Sequence, residues 1–177
     1  GIHRGRIADG NWARELVGAA LAEVGAAGAM DEVVAMNRPL LGADAMRFER
    51  MALDFESRGG AVTLPRVVVD LPGASLRGRG EIAADRSVTL TAALWPDAPL
   101  AATLTSAAPA LARARDADGK PVLPCEVHGA AGRVDVKPTA ELRNALGAHG
   151  DAVPLAPVRV APADFGDLAR LRRQFGR

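Results

Sequence analysis

Residues 46–95 read as consecutive short β-strands at 46–56, 61–71, 74–82 and 88–95. Turn signals separate them: Ser57-Arg58-Gly59-Gly60, Pro72-Gly73 and Ala84-Asp85-Arg86. The last two strands alternate cleanly. Leu76, Gly78, Gly80 and Ile82 share one face, and Ser75, Arg77, Arg79 and Glu81 share the other. In the next strand Val88, Leu90, Ala92 and Leu94 form the apolar row. Matching the two apolar rows sets the register: Ile82 faces Val88, Gly80 faces Leu90, Gly78 faces Ala92 and Leu76 faces Leu94. A slip of one residue would turn Arg77 and Arg79 onto the apolar side, which burial forbids. Glycines at the centre of an apolar strand face mark a bend, a bulge or a close approach. The pattern therefore predicts a sheet curved around its oily side.

The flanking sequence adds helices. A strand over 2–8 and a turn at Asp9-Gly10 lead to Asn11, which has the chemistry of an N-cap for a helix over 12–24. Asp31 opens a second helix near 32–40, which Pro39 breaks. A further strand is expected at 100–105, a short helix at 109–115 and a turn at 116–119. Strands resume at 122–128 and 133–136, and Pro138-Thr139 opens a helix over 140–148. Residues 149–162 carry Pro154, Pro157 and Pro162 and read as a linker. Residues 163–177 read as an amphipathic helix, with Phe165, Leu168, Leu171 and Phe175 on one side and Arg170, Arg172, Arg173 and Arg177 elsewhere. The expected class is α+β: a curved antiparallel sheet built as a meander of hairpins, with N-terminal helices and short C-terminal ones. The β-rich domain spans 1–148.

Composition narrows what the interior can be. Of 177 residues 49% are hydrophobic but only 3% aromatic, with no Tyr, so the core must be built from Ala, Val, Leu and Gly. A net charge of +1, with Lys120 and Lys137 the only lysines, lacks the basic patch and stacking aromatics of a nucleic-acid binder. The longest apolar tract, 16–30, is interrupted by Glu23 and too short to span a bilayer. The chain starts at Gly1 without Met or a secretory signal, which suggests a processed product or a piece of a longer protein.

Candidate chemistry is sparse. Cys125 is alone, forms no internal disulfide and reads as a core residue. His3, His128 and His149 are isolated, with no second ligand at metal spacing. Arg77-Gly78-Arg79-Gly80 lies inside a strand, so it does not open a helix as a phosphate cradle does. Asp31-Glu32 and the Asp164/Asp167 pair fall at helix N-termini, where they complement the dipole. No Ser sits in a Gly-x-Ser-x-Gly context. These residues predict neither an enzyme nor a cofactor or metal site. The informative set is instead the apolar face, with Leu76, Ile82, Val88, Leu90 and Leu94 as candidates for a lipid-holding groove. Two arrangements satisfy it: helices sealing the face into a dry core, or a concave face partly open to acyl chains.

The order of motifs carries a resemblance. Ile7-Ala-Asp-Gly10 precedes a helix; then come Phe48-Glu-Arg-Met-Ala-Leu-Asp-Phe55, Val67-Val-Val-Asp-Leu-Pro-Gly73, Leu76-Arg-Gly-Arg-Gly80-Glu-Ile82, Ala84-Asp-Arg86 and Val88-Thr-Leu-Thr91. Val122-Leu-Pro-Cys-Glu-Val-His-Gly129 and Arg133-Val-Asp-Val-Lys-Pro138 follow. Over residues 1–148 this succession resembles the C-terminal region of AsmA-like proteins of Gram-negative envelopes. His128-Gly129-Ala130 departs from that pattern's small-residue step, and the turn after Phe55 lacks its frequent Asp-Gly. The resemblance implies a periplasmic protein tethered to the inner membrane through an upstream segment. Its curved sheet would form a groove for phospholipid acyl chains or other membrane lipids, in the service of outer-membrane assembly. It implies no catalytic residues. The other reading is a non-catalytic structural or interaction domain that docks envelope proteins. The Arg-rich C-terminal helix would then touch anionic headgroups, dock on a partner or pack back on the domain.

Overall fold

A computed structural model describes residues 2–7, 10–130, 133–147, 154–158 and 160. The strands are β1 (Ile2–Ile7), β2 (Met46–Arg58), β3 (Ala61–Leu71), β4 (Ala74–Ile82), β5 (Ser87–Pro96), β6 (Leu123–Ala130) and β7 (Arg133–Pro138). They form one seven-stranded antiparallel sheet in sequential order. Between β1 and β2 lie α1 (Trp12–Glu23), a 3₁₀ turn (Ala27–Ala29), α2 (Met30–Met36) and α3 (Arg38–Leu41). Between β5 and β6 lie α4 (Ala98–Ala107) and a 3₁₀ helix (Pro109–Arg113), and α5 (Ala140–Gly147) follows β7. The class is α+β, a curled meander with helices on its inner side.

The β4–β5 register is the one the alternation requires, from Leu76↔Leu94 through Gly78↔Ala92 and Gly80↔Leu90 to Ile82↔Val88. Both glycines are sites of close approach. A Cβ on Gly78 would lie 2.7 Å from the Thr91 carbonyl oxygen and 2.8 Å from the Ala92 Cβ. On Gly80 it would meet the Thr89 carbonyl oxygen and come within 2.8 Å of the Leu90 Cα. Here the missing side chains let the ribbon bend tightly. The β2–β3 turn uses glycine differently: Gly59 and Gly60 have φ of 59° and 84°, both in the left-handed region. A two-residue hairpin turn matched to strand twist needs that conformation.

The curl is closed by helix packing. α1 leaves the β1 edge yet packs on β7 and β6 at the other edge, so it lies across the hollow of a half-barrel. Asn11 starts it as the sequence predicts. Its side-chain oxygen accepts from the Arg14 N–H at 3.1 Å, and its amide donates to the Leu40 and Ala43 carbonyls at 2.7 and 3.0 Å. This one buried residue caps α1 and fixes the exit from α3. Leu16, Val17, Ala20 and Leu21 of α1, with Val33 and Leu41, join Val69, Leu76, Leu94, Cys125 and Val127 in one core cluster.

Two expectations are corrected. Residues 100–105 are helical, inside α4. Asp97 caps that helix by accepting from the Leu100 N–H at 2.9 Å, Pro99 occupies its first turn, and Leu100 and Leu104 bury one turn apart. The helix expected over 32–40 is split at Asn37, whose amide donates to the Val33 carbonyl at 3.0 Å. Pro39 therefore sits in the first turn of α3, where its missing N–H costs nothing, instead of ending a helix. In the stretch read as a linker, Leu155 is buried and its N–H donates to the Arg115 carbonyl at 2.8 Å. The helix expected over 163–177 lies outside the described residues.

Gly80→Ala should cost about 1–3 kcal/mol, because the added methyl overpacks a backbone crossing. Gly28→Ala, with open space around it, should stay within about 0.5 kcal/mol. Urea unfolding of both variants checks this contrast; equal losses would refute the crowding argument.

Candidate functional site

The curled sheet separates two chemistries. Its outer face carries ion pairs: Arg50–Asp70 at 2.7 Å, Arg66–Asp54 at 2.8 Å and Lys137–Asp135 at 2.6 Å, with Glu126 and His128 3.4 Å apart. Exposed pairs of this kind contribute about 0–1 kcal/mol each, so they mark the wet face more than they hold it. The inner face is apolar and unevenly covered.

Of the five groove candidates, Leu76, Leu90 and Leu94 are 4%, 6% and 0% exposed and belong to the core under the helices. Ile82 and Val88 are half-buried and face each other at the end of the hairpin remote from α4. Val62 pairs with Ile82 and Leu64 with Gly80, and both are half-buried. Leu53 pairs with Val67 on the same face and is 42% exposed. Phe55 follows at a β-bulge, where the β2–β3 register shifts between Asp54 and Glu56, and is 70% exposed. The helices thus fill one end of the half-barrel and leave an apolar lip at the other. Sequence reasoning placed Ile82 and Val88 on this face but passed over Leu53 and Phe55. A Phe in a chain this poor in aromatics, on the strand just ahead of a turn, was the available signal.

A second feature lies on the outer face at the opposite end of β5. The Arg77 guanidinium sits 5.5 Å from the centre of the Trp95 ring. The Trp95 Nε1–H donates to Asp116 Oδ2 at 3.5 Å. Asp116 is buried, and its Oδ1 accepts from the backbone N–H groups of Asp118 and Lys120 at 3.0 and 2.9 Å. Burial pushes the Asp116 carboxyl up, but the Lys120 N–H, the indole, the Asp118 N–H and the Lys120 charge together outweigh it and hold the carboxyl below its ordinary value. A cleft of about 410 Å³ opens here, with Trp95 and Asp116 on one side and Pro157, Val158 and Val160 on the other.

The remaining reactive groups have structural surroundings. Cys125 is 1% exposed, and burial with the nearby Glu126 charge pushes its thiol up to about 12, so it stays protonated at neutral pH. His128 lies on the outer face, three strand positions from a Cys125 that points inward, so the two do not converge. Among the described residues no group of His, Cys, Asp and Glu is placed to hold a metal, and no helix is long and apolar enough to cross a membrane. No family model, curated protein or solved structure matches the chain.

Asp116 makes a pH prediction with a definite sign. A carboxyl held low in the folded state stabilises it above the unfolded value, about 3.9, and that contribution disappears as pH falls through the lower folded value. Asp116→Asn should therefore lose stability relative to the parent at pH 6, and the gap should close toward pH 2. Denaturant titrations across that range test it, and a gap independent of pH would contradict it.

Proposed function

We propose that this chain is a terminal segment of an AsmA-like lipid carrier of the Gram-negative envelope, whose half-barrel ends here under its own helices. The observation that carries the reading is the partly covered apolar lip, with Leu53 and Phe55 exposed and Val62, Leu64, Ile82 and Val88 half-buried. An acyl chain laid along these side chains gains about 0.8 kcal/mol for each methylene removed from water. It needs no directed hydrogen bond, which suits a surface of branched aliphatics and one ring. Leu76, Leu90 and Leu94 then act as the stopper: they are already spent on folding, so a guest reaches the lip and stops there. Membrane tethering would come through a segment upstream of Gly1, and the working compartment would be the periplasm.

The burial of those same three leucines favours a second reading, a non-catalytic docking domain for envelope proteins. In that case the lip meets a protein surface instead of lipid. Exposed apolar patches serve either purpose.

Native mass spectrometry and lipid extraction of gently purified protein separate the two. Under the proposal phospholipid co-purifies, and Phe55→Glu with Val88→Glu lowers its occupancy at least about fivefold, a loss of roughly 1 kcal/mol. Phe55→Glu alone should leave stability within about 0.5 kcal/mol because the ring is exposed. Protein that carries no lipid, or that carries it unchanged in the double variant, would leave the docking reading in possession.

A further inference from the structure

We infer that the bare end of the sheet is a docking edge for an anionic membrane surface, with two rim arginines meeting lipid phosphates and the apolar lip entering the headgroup layer. The inference builds on the lipid-holding reading of the lip and adds the surface from which lipid would come. Topology sets it up. In a sequential antiparallel meander the connections alternate between the two ends of the sheet. The connections after β1, β3 and β5 and the exit from β7 fall at one end, and every α-helix described lies in them. The connections after β2, β4 and β6 fall at the other end and carry no helix. Val62 pairs with Ile82, and a Cβ on Gly60 would lie 3.5 Å from the Cβ of Ala84. The β2–β3 and β4–β5 turns therefore stand side by side as one rim.

The charges on this rim are uncommitted bases. Arg58 closes β2 and Arg86 sits in the β4–β5 turn; both are exposed, and among the described residues neither side chain has an ion-pair or hydrogen-bond partner. The acid beside them is engaged: Asp85 Oδ1 accepts from the Ser87 N–H at 2.9 Å. Arg86 has φ of 68°, where glycine would sit without strain, yet the turn keeps a base there. On the inner face just behind the rim lie Phe55, exposed, and Val62, Ile82 and Val88, half-buried. Bases beside an aromatic and aliphatic surface match the boundary between phosphates and acyl chains in a bilayer. A soluble polyanion would meet the arginines and leave the apolar side chains in water. Glu56 and Glu81 share a cross-strand row with Thr63 on the outer face, and both are exposed. An anionic surface repels that row, so the sheet leans its inner face toward the membrane and its outer face away.

The test sediments the full chain with vesicles of phosphatidylcholine, either alone or mixed equally with phosphatidylglycerol. The parent should bind the anionic vesicles at least about tenfold more strongly than the neutral ones, and less strongly as salt rises. Arg58→Glu with Arg86→Glu should cut that binding at least about tenfold. Arg58→Ser with Arg86→Gly, which relieves the positive φ, should cut it at least about fivefold and serves where the glutamates disturb the turns. Arg38→Glu with Arg143→Glu makes the same charge change at exposed positions of α3 and α5. Far from the rim and screened, that pair should stay within about twofold of the parent. Binding that does not prefer phosphatidylglycerol, rim variants that bind as the parent does, or equal losses from the two glutamate pairs would overturn the inference. A parent that carries co-purified phospholipid yet binds no vesicle would overturn the docking edge alone and leave the lip's function standing. Rim-dependent vesicle binding by protein that carries no phospholipid would uphold the docking edge and remove the lipid-holding reading.

Discussion

The architecture depends on one crossing of backbones. Where β4 passes β5, Gly78 and Gly80 let the partner strand come so close that no Cβ fits. An ordinary pleated pair holds its strands apart through side chains that stand off the sheet. Removing two in register on the inner face lets the ribbon fold toward that face, and seven strands then curl far enough for a single helix to span the hollow. α1 reaches β7 only because the sheet brings its two edges toward each other. A Cβ at either position would press on the β5 backbone beside it and work against the curl into which α1 packs.

The curl also decides how apolar surface is divided. Fully burying a leucine is worth about 1.5–3 kcal/mol, and Leu76, Leu90 and Leu94 realise that gain against the helices. Leu53 and Phe55 do not, since β2 and β3 run on past the last helix that could cover them. Extending strands beyond the covered core leaves the fold no stronger and exposes an aromatic ring. The exposure of Leu53 and Phe55 is therefore what the proposed function rests on, because burial in this fold gives those two side chains no partner.

Legibility in the sequence followed the strength of local constraint. The β4–β5 register was fully readable, because Arg77 and Arg79 make the wrong alignment costly and the glycines announce the crossing. Asn11 was readable as a cap because its chemistry is local, although its clamp on Leu40 and Ala43 joins residues far apart and left no trace in the pattern. Residues 100–105 misled because Ala, Leu and Thr in a short run suit either a strand or a helix. Asp97 and Pro99 decided the matter from outside the run. Pro39 misled for the opposite reason: proline stops one helix and starts the next with equal ease, and only the Asn37 side chain shows where the break falls. The groove candidates were right about the face and silent about depth, since alternation states which side a residue points to and not what lies above it. Trp95 and Asp116 had no periodic signature at all, because they meet through a turn 21 residues away in sequence.

The two surfaces sit on opposite faces of the same hairpin. Val88 belongs to the lip and Trp95 to the outer-face cleft, and at about 3.4 Å per residue they lie roughly 24 Å apart along β5. What joins them is the glycine crossing, where the two strands approach too closely for a Cβ. A packed crossing of this kind transmits chiefly a change in curl, because the contact at Gly78 and Gly80 is largely with the partner backbone. Occupying the lip can affect the cleft only by opening or tightening the bend, which would move Arg77 and Trp95 together with their strands and leave their contact intact. The geometry thus favours two surfaces that are mechanically separate: an apolar lip at one end of the inner face, and a cleft beside Trp95 on the wet side of the same sheet.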